Sequence, residues 1–385
     1  MSMSLEGIRV LDLSRILAGP TATQLLADLG AEVIKVERPG CGDDTRGWGP
    51  PFVEEGSDLS AYFLCANRNK QSIAIDFTTP EGADLIRRLV VECDVVVENY
   101  KPGDLARRGL DYDDLAALRP GLIWCSITGF GRNGADADRI GYDFLVQAVG
   151  GIMSITGDPE GPPMKVGVGI ADVMCGMYAT TGILAALRHR DRTGEGQRVD
   201  VALYDAQLAW LVNAATNTLV SNKPPRRLGN RHPNIAPYQT YPTAAGDLAL
   251  AVGNDAQFRR LMIELGDAEL GHDPRFALNR DRVLNVDALE EALVPLFATA
   301  PAAAWVDRLS AAGIPAGLVR SVDDVLDDPD TEARGMVTRA EDAPEIRLLG
   351  NPLHLSKTPV RPPRRPPHLD EHRAEVLRLL NPDKA

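Results

Sequence analysis

The sequence predicts an α/β fold: a Rossmann-like, doubly wound, mostly parallel sheet joined to a smaller α+β domain. Three observations carry this. Between Gly7 and Thr128, short runs rich in Val, Ile and Leu recur without polar alternation, as in strands buried on both faces. Segments of helical period separate these runs, supplying the crossovers that parallel strands require. Beyond Ser221 the texture changes to proline-broken polar chain and short alternating strands.

Residues 7–13 read as a buried strand, 20–29 as a helix with Pro20 in its first turn, and 31–37 as a second strand, which makes a βαβ unit. The alternation continues with strand 72–77, helix 80–93, strand 94–98, helix 112–118 and strand 122–128. The apolar run 173–187 is a helix rich in small residues, followed by strand 197–204 and helix 205–219. Residues 222–233 are polar and broken by prolines, and strands 237–242 and 247–252 flank a tight turn. Short helices follow to about residue 315, then strand 316–320, helix 322–326, an extended proline-rich strap over 359–367 and a helix over 371–380. This places the large domain in 1–220, a small domain in 221–315, and a return to the large domain in 316–385.

The bulk composition bounds the function. A chain of 385 residues with 44% hydrophobic and 25% charged content has the make-up of a soluble globular protein. Its net charge of −13 argues against a nucleic-acid partner and requires local cations for any anionic ligand. No run matches the ~20 apolar residues of a membrane span, and the first residues lack the pattern of a secretory signal, so a cytoplasmic location without membrane contact is expected. Five scattered cysteines, none in C-x-x-C spacing, signal neither a disulfide framework nor a zinc site. His368, Glu371 and His372 have H-x-x-E-H order but follow Pro366 and Pro367 with no third ligand in view, and no metal is expected.

One carboxylate stands out. Asp172 lies where a Gly/Ala-rich approach meets the long apolar helix, with no cation or second acid within several positions. An acid so placed is either a helix cap or a nucleophile. Gly167, Gly169, Gly176 and Gly182 permit a close approach that a plain cap does not need. Cys175, about one turn further on, has no nearby base and reads as core.

The first strand-to-helix turn, 13–20, occupies the place where doubly wound folds bind nucleotides, although it lacks G-x-G-x-x-G. Arg38 directly follows the second strand, where a cation meets a ribose phosphate such as that of coenzyme A. Arg15, Arg46, Lys70, Arg107 and Arg108 fall near other strand ends; each alone reads as surface charge, and together they suggest a phosphate-binding ridge.

Several blocks carry a more specific signal: residues 11–20, 29–38, Gly42-Asp-Asp-Thr-Arg46, 69–73, 98–103, the Asp172 segment and 351–359. Through them the chain resembles the family III CoA-transferases along essentially its whole length. The resemblance implies a Rossmann-like domain built from both ends of the chain, a smaller domain between them, and an interlocked homodimer of subunits threaded like linked rings. It implies acyl-CoA and small carboxylic acids as substrates. Coenzyme A would be held by Arg15, Ile16, Leu17 and Ala18, by Arg38 at the adenosine phosphates, by Ile75, Asp76 and Phe77 at the adenine, and by Asn99, Tyr100 and Arg107, with Arg108 alongside. Asp172 matches the catalytic aspartate, which forms aspartyl anhydride and aspartyl-CoA thioester intermediates.

Racemases of the family place a histidine where this chain has Tyr142, so a two-base proton shuttle lacks one partner, and Tyr142 reads as a wall of the acyl pocket. Residues 229–239, together with 42–46 and 48–52, are most similar to the branch that uses succinyl-CoA and glutarate. A dicarboxylate needs a cation for its far end; Arg231 and His232 are candidates, and an ordinary loop pair is the equal alternative. A racemase-like or carnitine-type acyl-CoA enzyme and an inactive CoA-binding subunit stay open. Asp370 stands where the family usually has glycine, which bears on the backbone turn there.

Overall fold

The apolar runs form β1 (Arg9–Asp12), β2 (Glu32–Glu37), β3 (Lys70–Ala74), β4 (Val95–Glu98), β5 (Ile123–Thr128) and β6 (Arg198–Ala202) in the computed structural model, which describes residues 2–380. They make one parallel sheet in the order β3-β2-β1-β4-β5-β6. The order reverses between β1 and β4, so a crevice opens beyond the carboxyl ends of these two strands. Val95, Val96 and Val97 are all fully buried, because both faces of the sheet are covered.

Helices α1 (Ala18–Asp28), α2 (Pro80–Val91), α3 (Asp143–Val149), α4 (Ile170–Thr193) and α5 (Leu203–Ala209) accompany the sheet. On one face Val10, Val33 and Val97 pack with Leu26 of α1 and Ala179 and Ile183 of α4; on the other Leu11, Ile34 and Val96 pack with Ile86 and Leu89 of α2. α2 starts on Thr79, whose side chain accepts the Gly82 N–H, with Pro80 in its first turn. α4 is long and apolar enough to cross a membrane, yet half of its apolar stretch is buried in the protein. It lies close on α1: a Cβ at Gly176 would come within 2.7 Å of the Ala18 carbonyl, so the glycine sets the helix spacing.

These elements belong to one of two compact units, made of the chain up to Ile152, Lys165–Val212 and the chain from Asp328 onward; the other comprises Met153–Met164 and Asn213–Asp327. The second unit holds an antiparallel sheet of β7 (Tyr238–Pro242), β8 (Asp247–Ala251) and β9 (Ala316–Leu318). α6 (Asp255–Leu265), α7 (Val286–Phe297) and α8 (Ala302–Ala311) supply Phe258, Leu293, Phe297 and Trp305 to its core. Within it, the buried Arg282 guanidinium donates to the Ala236 and Phe276 carbonyls at 2.6 and 2.8 Å and to Asp255 at 2.8 Å.

Back in the first unit, β10 (Val337–Ala340) and β11 (Ala343–Leu349) form an antiparallel hairpin. The proline-rich strap then runs beside β3: the Arg364 N–H donates to Asn69 Oδ1 at 2.8 Å, and the Ala74 N–H to Asp370 Oδ1 at 2.7 Å. Asp370 sits at φ +64°, the left-handed region that a glycine would take, and its short side chain uses the turn to tie the edge strand. The helix expected over 205–219 is in fact two, α5 and Val212–Ser221, separated at Trp210 and Leu211, with Val212 at φ +40°.

Candidate active site

The loop after β1 is held from below by buried charges. Lys35 pairs with Asp43 at 2.9 Å and Lys70 with Asp12 at 3.1 Å, all four side chains being inaccessible to solvent. Burial alone would raise the Asp43 carboxyl, but Lys35 and Thr45 hold it down to about 2. The same contest holds Asp12 below its ordinary value, with Lys70 and Lys35 outweighing burial. Lys35 also donates to the Ser14 carbonyl at 3.0 Å, and Asp43 accepts the Ile16 N–H at 3.3 Å. Ile16 has φ +72°, a conformation disfavoured for a β-branched residue, and this network holds it.

Two cations expected on a phosphate ridge therefore do other work. Lys70 is enclosed beneath the loop, and Arg46, 4% exposed, divides its guanidinium between Glu37 at 2.7 Å and Asp58 at 2.8 Å. Their charges are matched by acids of the same unit, Glu37 and Asp58 for Arg46 and the distant Asp12 for Lys70.

A cavity of about 310 Å³ opens above the ends of β1, β4 and β5. Its walls bring together Asp172, Arg15, Ile16, Leu17, Ala18, Asn99, Tyr100 and Tyr142 from the expected set, and add Lys101 and Arg139. The Arg15 guanidinium lies over the Tyr100 ring at 5.3 Å and reaches Asp44 at 3.3 Å, while its Nε is buried with no acceptor. An anionic group bound in the cavity would supply that acceptor. The Arg139 guanidinium lies over the Phe130 ring at 4.4 Å, and its carboxylate neighbour Asp136 is 3.9 Å away.

The other expected ligand residues stand outside the cavity wall. Arg38, half-exposed, pairs with Asp44, and Arg107 pairs with Asp104, whose carbonyl accepts from Arg108 at 2.5 Å. Phe77 meets the Tyr100 ring edge-on at 5.5 Å. The Ile75 side chain is buried with Ile73 and Val36, and exposed Asp76 accepts from the Thr78 hydroxyl at 2.6 Å. In the second unit, Arg231 is paired with Asp287 at 2.7 Å and with Glu290, and the His232 ring lies 5.2 Å from that of Tyr238.

Asp172 is the third residue of α4 and only 8% exposed, yet it does not cap the helix: Gly169 is the N-cap residue and no side chain caps there in the ordinary way. The capping acid is Asp143, whose Oδ1 accepts the Ala171 N–H at 2.8 Å. Among the described residues nothing donates a hydrogen bond to the Asp172 carboxylate. Burial, and then the charge of Asp143, push it up to about 7. Cys175 is buried and its thiol is pushed well up, first by burial, which leaves it inert. Asp143 escaped the sequence reading because nothing local joins it to a helix 27 residues onward; its place right after Tyr142 was the one available signal.

The H-x-x-E-H residues are engaged elsewhere, His368 with Asp58 at 2.5 Å and Glu371 with Arg365 at 2.6 Å. Among the described residues no group of three or more His, Cys, Asp or Glu side chains is arranged to hold a metal.

The model of CoA-transferase family III matches residues 5–373. The chain belongs to the family III CoA-transferases. It is 50% identical to a succinate–glutarate CoA-transferase of Agrobacterium fabrum, over 98% of this chain and 95% of that one. With a human succinyl-CoA:glutarate CoA-transferase the identity is 40%, over 97% and 85%. A crystal structure of a CAIB/BAIF family protein from Brucella suis superposes with a TM-score of 0.87 at 47% identity, covering 99% of this chain and all of that one. As a family III CoA-transferase, the protein is an enzyme whose substrates are CoA thioesters.

Proposed function

We propose that this enzyme moves CoA from succinyl-CoA to a small dicarboxylate such as glutarate, with Asp172 as the group that is acylated. The observation that carries the reading is a buried, uncapped carboxylate on the wall of a cavity at the sheet's switch point. The substrates are those named for the Agrobacterium and human relatives.

Asp172 attacks the thioester carbonyl; its C–S bond breaks and CoA leaves as thiolate, giving a mixed anhydride. The thiolate then attacks the aspartyl carbonyl, the C–O bond breaks, and succinate departs. An acceptor carboxylate attacks the resulting aspartyl thioester and expels the thiolate, forming a second anhydride. Attack of the thiolate on the acceptor acyl carbon yields the new CoA ester and regenerates Asp172. No water enters the balance, and the small-residue helix behind Asp172 keeps that side dry.

In this reading Arg15, Ile16, Leu17 and Ala18 hold CoA, the pyrophosphate arm passes Asn99, Tyr100 and Arg107, with Arg108 alongside, and Arg38, Ile75, Asp76 and Phe77 serve the adenosine end. Tyr142 walls the acyl pocket. Arg231 is already matched by two carboxylates, so Arg139, which shares a cavity with Asp172, is the first choice for the far carboxylate, ahead of Arg231 and His232.

The cytoplasmic location and a homodimer belong to the same reading. Phe144, Met177, Tyr178 and Leu208 leave apolar surface exposed on the first unit, as a second copy would cover. Light scattering should give twice 41.6 kDa; a monomer would contradict the pairing. The transfer itself is tested by incubating the protein with succinyl-CoA and a panel of acids and detecting new CoA esters by mass. Glutaryl-CoA is the expected product, and succinyl-CoA left unchanged by every acid would overturn the reading.

A further inference from the structure

The segment leading into Asp172 is gripped by two side chains one turn apart on α3. Gln147 is fully buried and uses both ends of its amide. Its Oε1 accepts the Val166 N–H at 2.8 Å, and its Nε2 donates to Asp143 Oδ2 at 2.8 Å and to the Val168 carbonyl at 3.3 Å. Asp143, oriented by that bond, turns its other oxygen to the Ala171 N–H at 2.8 Å. Residues 166–171 are thus fixed at three points before the chain reaches Asp172.

An acid in the first turn of a helix ordinarily lowers its energy by accepting free N–H groups. Here Asp143 occupies that role from another helix. We propose that Asp143 and Gln147 are positioning residues for Asp172: they take over the capping of α4 and place a second negative charge beside it, so that the Asp172 carboxylate stays uncapped and open to the cavity. This rests on the reading of Asp172 as the acylated group.

The chemistry favours such an arrangement. A carboxylate stripped of donors is a better nucleophile, and one whose conjugate acid is weaker competes better with the departing thiolate. Acylation neutralises Asp172 and relieves its repulsion by Asp143, so the clamp raises the starting state relative to the anhydride. The groups around Asp172 agree. Asp143 faces it from α3, Cys175 from its own helix, and Tyr62 from the short helix Ala61–Leu64; the Tyr62 hydroxyl is pushed up to about 12 by burial and then by Asp172. The cations of the cavity are Arg15, Lys101 and Arg139, and the Asp172 carboxyl still sits high, at about 7.

Asp143→Asn keeps an oxygen for the Ala171 N–H and removes the charge. The acid limb of succinyl-CoA/succinate exchange should move down by roughly one pH unit, the plateau kcat should fall, and KM for succinyl-CoA should hold. Carbon-13 titration of the Asp172 carboxyl, read without turnover, should move the same way. Gln147→Met, similar in size and without hydrogen bonds, should lower kcat by roughly tenfold or more while leaving the acid limb in place. An Asp143→Asn enzyme with an unmoved limb and an unmoved Asp172 titration overturns the clamp, as does a folded Gln147→Met enzyme with full kcat. Should Asp143→Asn not fold, Gln147→Met decides: a lowered kcat with the acid limb in place supports the clamp, and full kcat overturns it. Exchange that survives Asp172→Ala defeats the underlying reading instead, and is distinguishable because it concerns a different residue.

Discussion

Asn99 and Arg15 are joined twice: Asn99 Nδ2 donates to the Arg15 carbonyl at 2.7 Å, and the Arg15 N–H donates to Asn99 Oδ1 at 2.9 Å. One side chain at the end of β4 thereby fixes the backbone of the loop after β1, on which Arg15 is mounted. Asn99→Ala removes both bonds, about 1 kcal/mol each. KM for succinyl-CoA should rise by roughly tenfold or more, with a smaller change in kcat. Steady-state kinetics at saturating acceptor would show it, and an unchanged KM would separate the loop from CoA binding.

The buried pair beneath the same loop governs stability. Lys35→Met strands Asp43 and should cost about 3–5 kcal/mol in denaturant unfolding at neutral pH. The pH dependence follows from Asp43. Its folded value, about 2, lies below its ordinary 3.8. Its contribution is therefore complete above pH ~4 and is lost as pH falls toward 2, a total of about 2 kcal/mol. In Lys35→Met this acid-dependent part should shrink.

Asp172 has the opposite sign. Its folded value, about 7, lies above 3.8, so the folded state binds its proton more tightly than the unfolded chain does. Destabilisation from Asp172 grows as pH rises from about 4 to 7 and then levels off. Asp172→Asn should make the free protein more stable by about 4 kcal/mol at pH 8 and by less than about 1 kcal/mol at pH 4. Thermal melts at the two pH values check this. The same ionisation should make kcat/KM rise with pH through about 7.

Arg139→Met should raise KM for glutarate at least tenfold while sparing a monocarboxylate acceptor, since one charge-assisted pair to a carboxylate contributes about 1.5–3 kcal/mol. Arg231→Met should do less, because Asp287 and Glu290 already hold that guanidinium. The reverse ranking would return the far carboxylate to Arg231.

How far the sequence was legible depends on how far each cause lies along the chain. Strands buried on both faces announce themselves by continuous apolar runs, and β1, β2, β4 and β5 lie within the segments read for them. The hairpin β10–β11 mixes Thr338, Arg339, Glu345 and Arg347 with its apolar residues, which left it without a distinct strand signal. The break at Trp210 and Leu211 carries neither glycine nor proline to mark it. At the site, Asp172 was visible as an acid with two possible roles, and the capping contact belongs to Asp143, which only folding brings to the helix end. Arg46 and Lys70 looked like ligand cations because their counter-charges, Glu37 at the end of β2 and Asp12 at the end of β1, meet them only once the chain has folded.

The acylation of Asp172 is tested most directly by mass spectrometry of the quenched enzyme. After brief exposure to succinyl-CoA and trapping with hydroxylamine, a digest should carry an aspartyl hydroxamate on Asp172 and nowhere else, and Asp172→Ala should lose both adduct and exchange. Full exchange in Asp172→Ala, or an adduct on a different residue, would contradict it.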